Sequence, residues 1–236
     1  MKSYFLSLLC IVFLCQCSYN KIKGKGRSLS KGSVKKGSLK NGRRFPKKGT
    51  NFKYFSKLTY FIDNRAWVHE KVCMATLEAY KICEQMMPER KFMIMECSHR
   101  KGGKMFPHRT HQNGTSIDFA SPLTKNNHPY HGDQWKGIWH YGLQFDEKGR
   151  CMRNKKIRID FEDMAKHILA LEKAAKKRGL YIKKVLLKMN LKDDFFATPS
   201  GKKVKEKGIY FARYLTPMID MVHDDHYHID FGFLKK

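Results

Sequence analysis

Two segments of the chain concentrate side chains that can bind a metal ion or move a proton: residues 108–118 and residues 223–228. If the second segment is a strand, its alternate side chains lie on opposite faces. His226 and His228 then stand side by side on a polar face, while Tyr227 points to an apolar one. Two imidazoles displayed in this way can act as metal ligands or as proton carriers.

The first segment can meet the second across a pair of neighbouring strands. Gly114 permits a turn, His111 lies just before it, and Ser116 and Asp118 then share one face of an alternating run. If the two strands are neighbours, two imidazoles and one carboxylate converge. This is a common catalytic zinc set that leaves a fourth position for water. The spacing fits histidines hydrogen-bonded in a core equally well, so it leaves both interpretations open.

The elements that must position these residues are helices and strands without a regular alternation, which favours an α+β fold. Apolar spacing predicts helices over 66–86 and 161–177, and strands over 91–97, 185–187 and 226–233. Residues 102–142 are rich in Gly, Pro and His, which predicts loops around a site.

The N-terminal part of the chain has a different composition. Residues 1–17 combine a lysine, a short apolar run and a polar end, which is typical of a signal peptide. They predict export to the periplasm or the extracellular space, with lipoprotein anchoring as the less favoured alternative. Residues 18–56 are rich in Lys, Gly and Ser and lack acidic residues, which predicts a disordered basic linker. The folded domain is expected over 57–236.

The charge of the chain points to a polyanionic partner. Forty-eight basic residues against 21 acidic ones give a formal net charge of +27. The basic tail is expected to bind an anionic wall polymer or a membrane surface, unless it is only a solvated spacer. Export and the lack of a recognisable nucleic-acid motif argue against nucleic acid.

Four cysteines follow the predicted signal peptide: Cys73, Cys83, Cys97 and Cys151. An even number in an exported chain suggests disulfides. On one helix, Cys73 and Cys83 would be separated by a rise of roughly 15 Å, so each would have to pair with Cys97 or Cys151. The alternative is that some are small buried residues.

Both chemical segments resemble the penicillin-insensitive murein endopeptidases, within the group that includes lysostaphin-type and D-Ala-D-Ala metallopeptidases (the LAS group). Residues 98–104 are similar to the family's Ser and Arg-Gly-Gly-Arg stretch. Residues 108–114 read His-x-x-His-Gln-x-Gly, and residues 223–228 read His-Asp-x-His-x-His. The resemblance covers 90–236 discontinuously. It implies the hedgehog/DD-peptidase-like fold of the group, a small, mostly antiparallel sheet flanked by helices.

The resemblance also implies a ligand set, namely one zinc ion held by His111, Asp118 and His228. It implies that His226 stabilises the tetrahedral intermediate or carries a proton.

Further site residues follow less directly. By the resemblance, His108 and His223 line the pocket. Asp225 departs from the murein endopeptidases, which tend to have an aromatic residue there. Some zinc D-Ala-D-Ala carboxypeptidases place an acidic general base three residues before the last zinc histidine. Asp225 is therefore a candidate base, with His223 or His226 as alternatives. In a regular strand it would face away from His226, so this role requires an irregular strand start.

Arg100 and Lys104 are candidates for binding a substrate carboxylate or the oxyanion, although an exposed surface charge is the favoured interpretation of each. His128, His131 and His140 lie in the Pro/Gly-rich loop and are expected on the surface.

These features predict a zinc metalloendopeptidase, a peptidoglycan hydrolase that cleaves amide bonds of peptide crosslinks. The first alternative is a D-Ala-D-Ala carboxypeptidase or dipeptidase, which Asp225 favours. The second is a non-catalytic, zinc-binding, wall-associated domain, because hedgehog-type signalling domains resemble these peptidases.

Overall fold

The computed structural model describes residues 22–134 and 136–235, and its architecture is α+β, as predicted. The strands are β1 (Leu29–Gly32), β2 (Gly37–Lys40), β3 (Arg43–Arg44), β4 (Phe52–Tyr54), β5 (Trp67–Val68), β6 (Phe92–Ile94), β7 (Ser116–Ala120), β8 (Leu123–Lys125), β9 (His128–Tyr130), β10 (Ile157–Ile159), β11 (Leu180–Leu186) and β12 (His226–Phe233). The helices are α1 (Lys57–Phe61), α2 (Glu70–Met86), α3 (Phe161–Lys176), α4 (Lys192–Ala197), α5 (Pro199–Glu206) and α6 (Pro217–Met221), with 3-10 turns at Gly137–Gly142 and Met189–Leu191.

The central sheet has five strands in the order β11-β12-β7-β6-β4. Its pairs are antiparallel except for β4 with β6, so the prediction of a mostly antiparallel sheet is confirmed. Tyr227, Ile229 and Phe231 of β12 are buried in the core. This apolar set fixes the register, because a slip by one residue would turn it away from the core.

Helices α2 and α3 pack on each other, and α3 also packs on β11. Helix α3 buries Met164, Ile168 and Leu171 at helical spacing. Its N-cap, Asp160, accepts a hydrogen bond from the Asp163 amide at 3.0 Å, which satisfies a free donor of the first turn. Helix α2 begins later than predicted, because residues 67 and 68 pair with β3 as a strand.

The prediction of a disordered linker over 18–56 is wrong for the described residues. Strands β1 to β4 lie in this region, and Leu39, Phe45 and Tyr54 are buried. The β1–β2 hairpin contacts the first chemical segment, where the Gln112 amide donates to the Val34 carbonyl at 3.0 Å. The folded region therefore begins before residue 57. The predicted signal peptide and residues 18–21 lie outside the described residues.

The predicted disulfides are absent from the described part of the chain. Cys73, Cys83, Cys97 and Cys151 are all buried free thiols, which confirms the alternative interpretation. Burial raises the pKa of Cys73 and of Cys83 to about 12, so both stay protonated and unreactive at neutral pH. Within the described ranges, no helix has the length and apolarity needed to cross a membrane.

Candidate metal and catalytic site

Strands β7 and β12 bring the two chemical segments together. His228 pairs directly with Asp118 in the antiparallel register. Their side chains lie on the same face, where His228 Nδ1 is 2.7 Å from Asp118 Oδ1. Both side chains are buried. The predicted alternation of both strands is therefore confirmed.

His111 enters the same space from the loop before β7. Its backbone adopts the left-handed conformation, with φ of 67°, which is uncommon for a residue other than glycine. Its Nε2 lies 3.2 Å from Asp118 Oδ2, and its ring centroid is 4.8 Å from that of His228. Neither ring nitrogen has a hydrogen-bond partner with acceptable geometry among the described residues, although the ring is buried. A buried polar group without a partner is costly, so the arrangement fits a bound ligand such as a metal ion.

His108 adds a further imidazole at the outer side of the cluster. Its Nδ1 is 3.7 Å from Asp118 Oδ2, and its side chain is partly exposed. Ligand atoms of His108, His111 and Asp118 all lie within 4.8 Å of one another and could hold a metal ion. This set shares His111 and Asp118 with the predicted ligands and has His108 in place of His228. Burial lowers the pKa of His108 to about 3, so its ring is neutral and can offer a lone pair.

His228 is held by carboxylates on both ring nitrogens. Its Nε2 is 2.7 Å from Asp230 Oδ1, and Asp230 also accepts from Ser116 Oγ at 2.6 Å and pairs with Lys184 at 3.1 Å. A carboxylate behind a metal-ligating histidine fixes its orientation and raises its basicity. Asp230 was not among the predicted site residues. Its place two residues after His228, on the same strand face, was the available signal.

The protonation of the cluster follows from these contacts. Burial raises the pKa of Asp118, but His111 and His228 outweigh it and hold the value well below normal. Burial lowers the pKa of His228, but the Asp230 and Asp118 carboxylates outweigh it and raise the value to about 10. Without a metal ion, His228 is therefore an imidazolium that donates to both carboxylates.

A second cluster surrounds His226. Asp225 lies just before β12, outside the regular strand, so its carboxylate can reach back to its neighbour. Its Oδ1 accepts a hydrogen bond from His226 Nδ1 at 2.5 Å. His223 donates from Nδ1 to the Ile219 carbonyl at 2.5 Å, and its ring centroid lies 4.8 Å from that of His226. Burial lowers the pKa of His223 to about 3, so its ring is neutral.

The expectation that His140 lies on the surface is wrong. It is 1% exposed, and its Nε2 donates to the Asp225 carbonyl at 3.3 Å. His128 is exposed as expected, and His131 is half-buried, with its Nε2 donating to the Glu89 carbonyl. His140 is buried by contacts with residues that are distant in the sequence. Such contacts produce no periodic pattern of apolar residues from which the burial could be predicted.

Arg100 and Lys104 are both exposed. The Arg100 guanidinium lies 5.5 Å from the centroid of the Trp67 ring, and the described residues show no contact of either cation with the histidine clusters. By contrast, Tyr141 was not predicted, yet its ring lies 5.9 Å from that of His226. Burial of its hydroxyl, followed by the nearby Glu96 carboxylate, raises its pKa well above normal, so Tyr141 remains a hydrogen-bond donor.

One known protein family matches most of the chain. The profile of the penicillin-insensitive murein endopeptidase family matches residues 30–232, which include both chemical segments and most of the N-terminal hairpin. No curated protein matches the chain. A match over most of the chain, including every residue of the two clusters, establishes membership. The chain therefore belongs to the penicillin-insensitive murein endopeptidase family.

Proposed function

We propose that this protein is a zinc-dependent endopeptidase that cleaves amide bonds in the peptide crosslinks of peptidoglycan. The observation that carries the proposal is the His111 imidazole, which is buried without a hydrogen-bond partner beside the Asp118–His228 pair. Family membership supplies the substrate class. We further propose a LAS-type fold and an exported enzyme that acts in the periplasm or outside the cell, where this substrate lies.

We propose His111, Asp118 and His228 as the zinc ligands. Both candidate sets contain the first two, so the choice of the third lies between His228 and His108. His228 is the better ligand, because Asp230 fixes its outer nitrogen, whereas no hydrogen bond to the His108 ring is found in the described ranges. A zinc ion held there would supply Lewis acidity, which would lower the pKa of water and polarise an amide carbonyl.

The other residues act on protons. Because His226 Nδ1 donates to Asp225, its Nε2 remains available to exchange a proton at the reacting amide. Asp225 then acts as the group that orients His226. His108 and neutral His223 line the pocket, and Tyr141 offers a hydroxyl for the oxyanion.

We propose an endopeptidase rather than a D-Ala-D-Ala carboxypeptidase, because the family that matches the chain is described as a murein endopeptidase family. A carboxypeptidase needs a cation fixed near the metal to bind the terminal carboxylate of its substrate. Among the described residues, the candidate cations Arg100 and Lys104 are exposed and do not reach the cluster. Arg100 and Lys104 therefore remain, at most, contacts for more distant parts of the substrate.

Product analysis tests this assignment. Purified protein is incubated with crosslinked muropeptide dimers and, separately, with pentapeptide monomers, and the products are identified by mass spectrometry. The proposal expects dimers to become monomers while the terminal D-Ala stays in place. Loss of only the terminal D-Ala would show a carboxypeptidase. No cleavage by zinc-loaded protein would favour a non-catalytic binding domain.

Asp230→Asn is expected to weaken zinc affinity by roughly 10- to 100-fold, because Asp230 orients His228 without touching the ion. Competition with a chelating dye measures the affinity. Asp146→Asn is the matched control, because Asp146 forms surface ion pairs with Arg150 and Lys155. Equal zinc affinity of the Asp230 and Asp146 variants would contradict the role of Asp230 in orienting His228.

Zinc affinity is also expected to rise with pH. The pKa of His228 in the zinc-free protein is raised to about 10, and the Nδ1 proton must leave before this nitrogen can bind a metal ion. Below this pKa, each unit of pH should therefore increase the apparent affinity by about tenfold. The carboxylate contacts that raise the pKa of His228 also stabilise the zinc-free fold. Their contribution is fully present below the pKa that His228 has in the unfolded chain, and it is lost as the pH rises through about 10. Chelator competition across neutral pH measures the slope, and a flat profile contradicts the role of His228.

We also propose that the β1–β2 hairpin binds an anionic wall polymer. Its exposed lysines, set beside the first chemical segment, are Lys31, Lys35, Lys36 and Lys40. Replacing all four with glutamine is expected to reduce binding to purified anionic wall polymer at low salt and to leave the cleavage of small muropeptides unchanged. Sedimentation with the polymer measures binding. Retained, salt-insensitive binding would show that the hairpin is only a spacer.

A further inference from the structure

A row of four buried side chains leads from the active site into the loop of residues 131–142. It begins at His226, whose Nδ1 donates to Asp225 Oδ1 at 2.5 Å. The Asp225 carbonyl accepts from His140 Nε2 at 3.3 Å, and Asp225 Oδ2 lies 4.0 Å from the same nitrogen. His140 Nδ1 is in turn 3.4 Å from Asp133 Oδ2. None of the four residues is more than 4% exposed.

The contacts fix where hydrogens must sit. A backbone carbonyl can only accept, so His140 Nε2 carries a hydrogen. His140 Nδ1 faces a carboxylate oxygen, and two lone pairs facing each other in a buried place would repel. The 3.4 Å contact between His140 Nδ1 and Asp133 Oδ2 therefore orients the His140 ring, whose Nε2 bonds the residue that orients His226.

Burying these four polar side chains costs more desolvation free energy than a purely structural contact requires. Apolar side chains of similar volume would fill the same space at lower cost, because two acids and two imidazoles lose hydration here. The bonding is also incomplete, since Asp225 Oδ2 and His140 Nδ1 lack a hydrogen bond of acceptable geometry among the described residues. Asp225 is already anchored to the sheet, because its carbonyl accepts from the Ser121 amide at 2.9 Å. The polar row therefore adds a nitrogen 4.0 Å from Asp225 Oδ2 to an attachment that the Ser121 amide already provides.

We propose that His140 and Asp133 are positioning residues that hold Asp225 so that His226 keeps a single tautomer, with Nε2 directed at the reacting amide. The proposal deepens the proposed function and rests on it for the role of His226. Neither positioning residue touches the substrate or the proposed zinc ligands. They act through Asp225 alone, from a loop whose sequence carries no metal-binding pattern.

The test uses the full chain with Asp133→Asn and His140→Gln. The kcat for crosslinked muropeptides is expected to fall by about 10- to 100-fold, within the range of a partly misplaced acid–base group. KM and zinc content should stay as in the unchanged protein. Asp133→Glu, which keeps the carboxylate, should recover most of the lost kcat. His128→Gln, on the exposed β9 strand, is the matched control and should behave as the unchanged protein.

A second readout does not depend on activity. Nitrogen-15 NMR of histidine-labelled, zinc-free protein reports which ring nitrogen of His226 carries the hydrogen. At a pH high enough for the His226 ring to be neutral, the unchanged protein should show the Nδ1–H form alone, and the Asp133 and His140 variants should show a mixture. An unchanged His226 spectrum in both variants overturns the proposal, as does a kcat loss that Asp133→Glu fails to recover. If the unchanged protein cleaves no muropeptide, the proposed function fails, while the NMR comparison still decides the positioning role.

Discussion

His111→Asn is expected to remove zinc binding and to reduce crosslink hydrolysis by roughly 1000-fold or more, because the ion is lost with one of its three ligands. Asparagine tolerates the left-handed backbone of this position, so the variant removes the imidazole without adding strain. The zinc-free protein should lose less thermal stability than it would from the loss of a hydrogen-bonded core histidine, because the contact of Nε2 with Asp118 Oδ2 at 3.2 Å lacks hydrogen-bond geometry. Elemental analysis, muropeptide turnover and thermal unfolding measure the three effects.

The stability result separates a ligand from a structural histidine. His167 is the matched comparison, because it is buried and bonded. Its Nδ1 forms a hydrogen bond of 2.5 Å with the Tyr227 hydroxyl, and its ring stacks on Tyr80 and Phe92. His167→Asn should lower the unfolding temperature while zinc content is retained. If His111→Asn instead behaves like His167→Asn, His111 is a core residue and the metal site is wrong.

His226→Ala is expected to lower kcat by roughly 100- to 10,000-fold while zinc content stays at one ion per chain, as for the loss of a general acid–base group. The reason is its geometry, since its Nδ1 is bonded to Asp225 and its side chain is no part of either candidate ligand set. Single-turnover kinetics and zinc analysis measure both effects. His131→Ala, in the neighbouring loop, is the control and should retain kcat. A fall in zinc content with His226→Ala would make His226 a ligand and contradict the assignment.

The sequence predicted those parts of the fold where a periodic pattern coincides with burial. Strand β12 was predicted at its observed bounds, because apolar and polar side chains alternate throughout it. Helix α3 ends within one residue of its prediction, because its apolar spacing is regular and Gly179 follows it. The convergence of Asp118 with His228 followed from the same alternation in two strands.

The parts that were missed depend on contacts between distant residues. The hairpin over residues 29–40 carries few apolar side chains, and its buried Leu39 packs against Gly114 of the loop before β7. His140 is likewise buried by Asp133 and Asp225, which lie 7 positions before it and 85 after it. Composition and periodicity describe neighbours along the chain, so neither could locate these contacts.

Zinc reconstitution shows whether hydrolysis depends on the proposed metal centre. Protein stripped with a chelator receives zinc in stepwise amounts, and the cleavage of crosslinked muropeptide dimers is measured after each addition. We expect no cleavage without zinc and full activity at one equivalent, with no recovery in His228→Ala. Cleavage by zinc-free protein, or equal recovery in His228→Ala, would contradict a metal centre built on His111, Asp118 and His228.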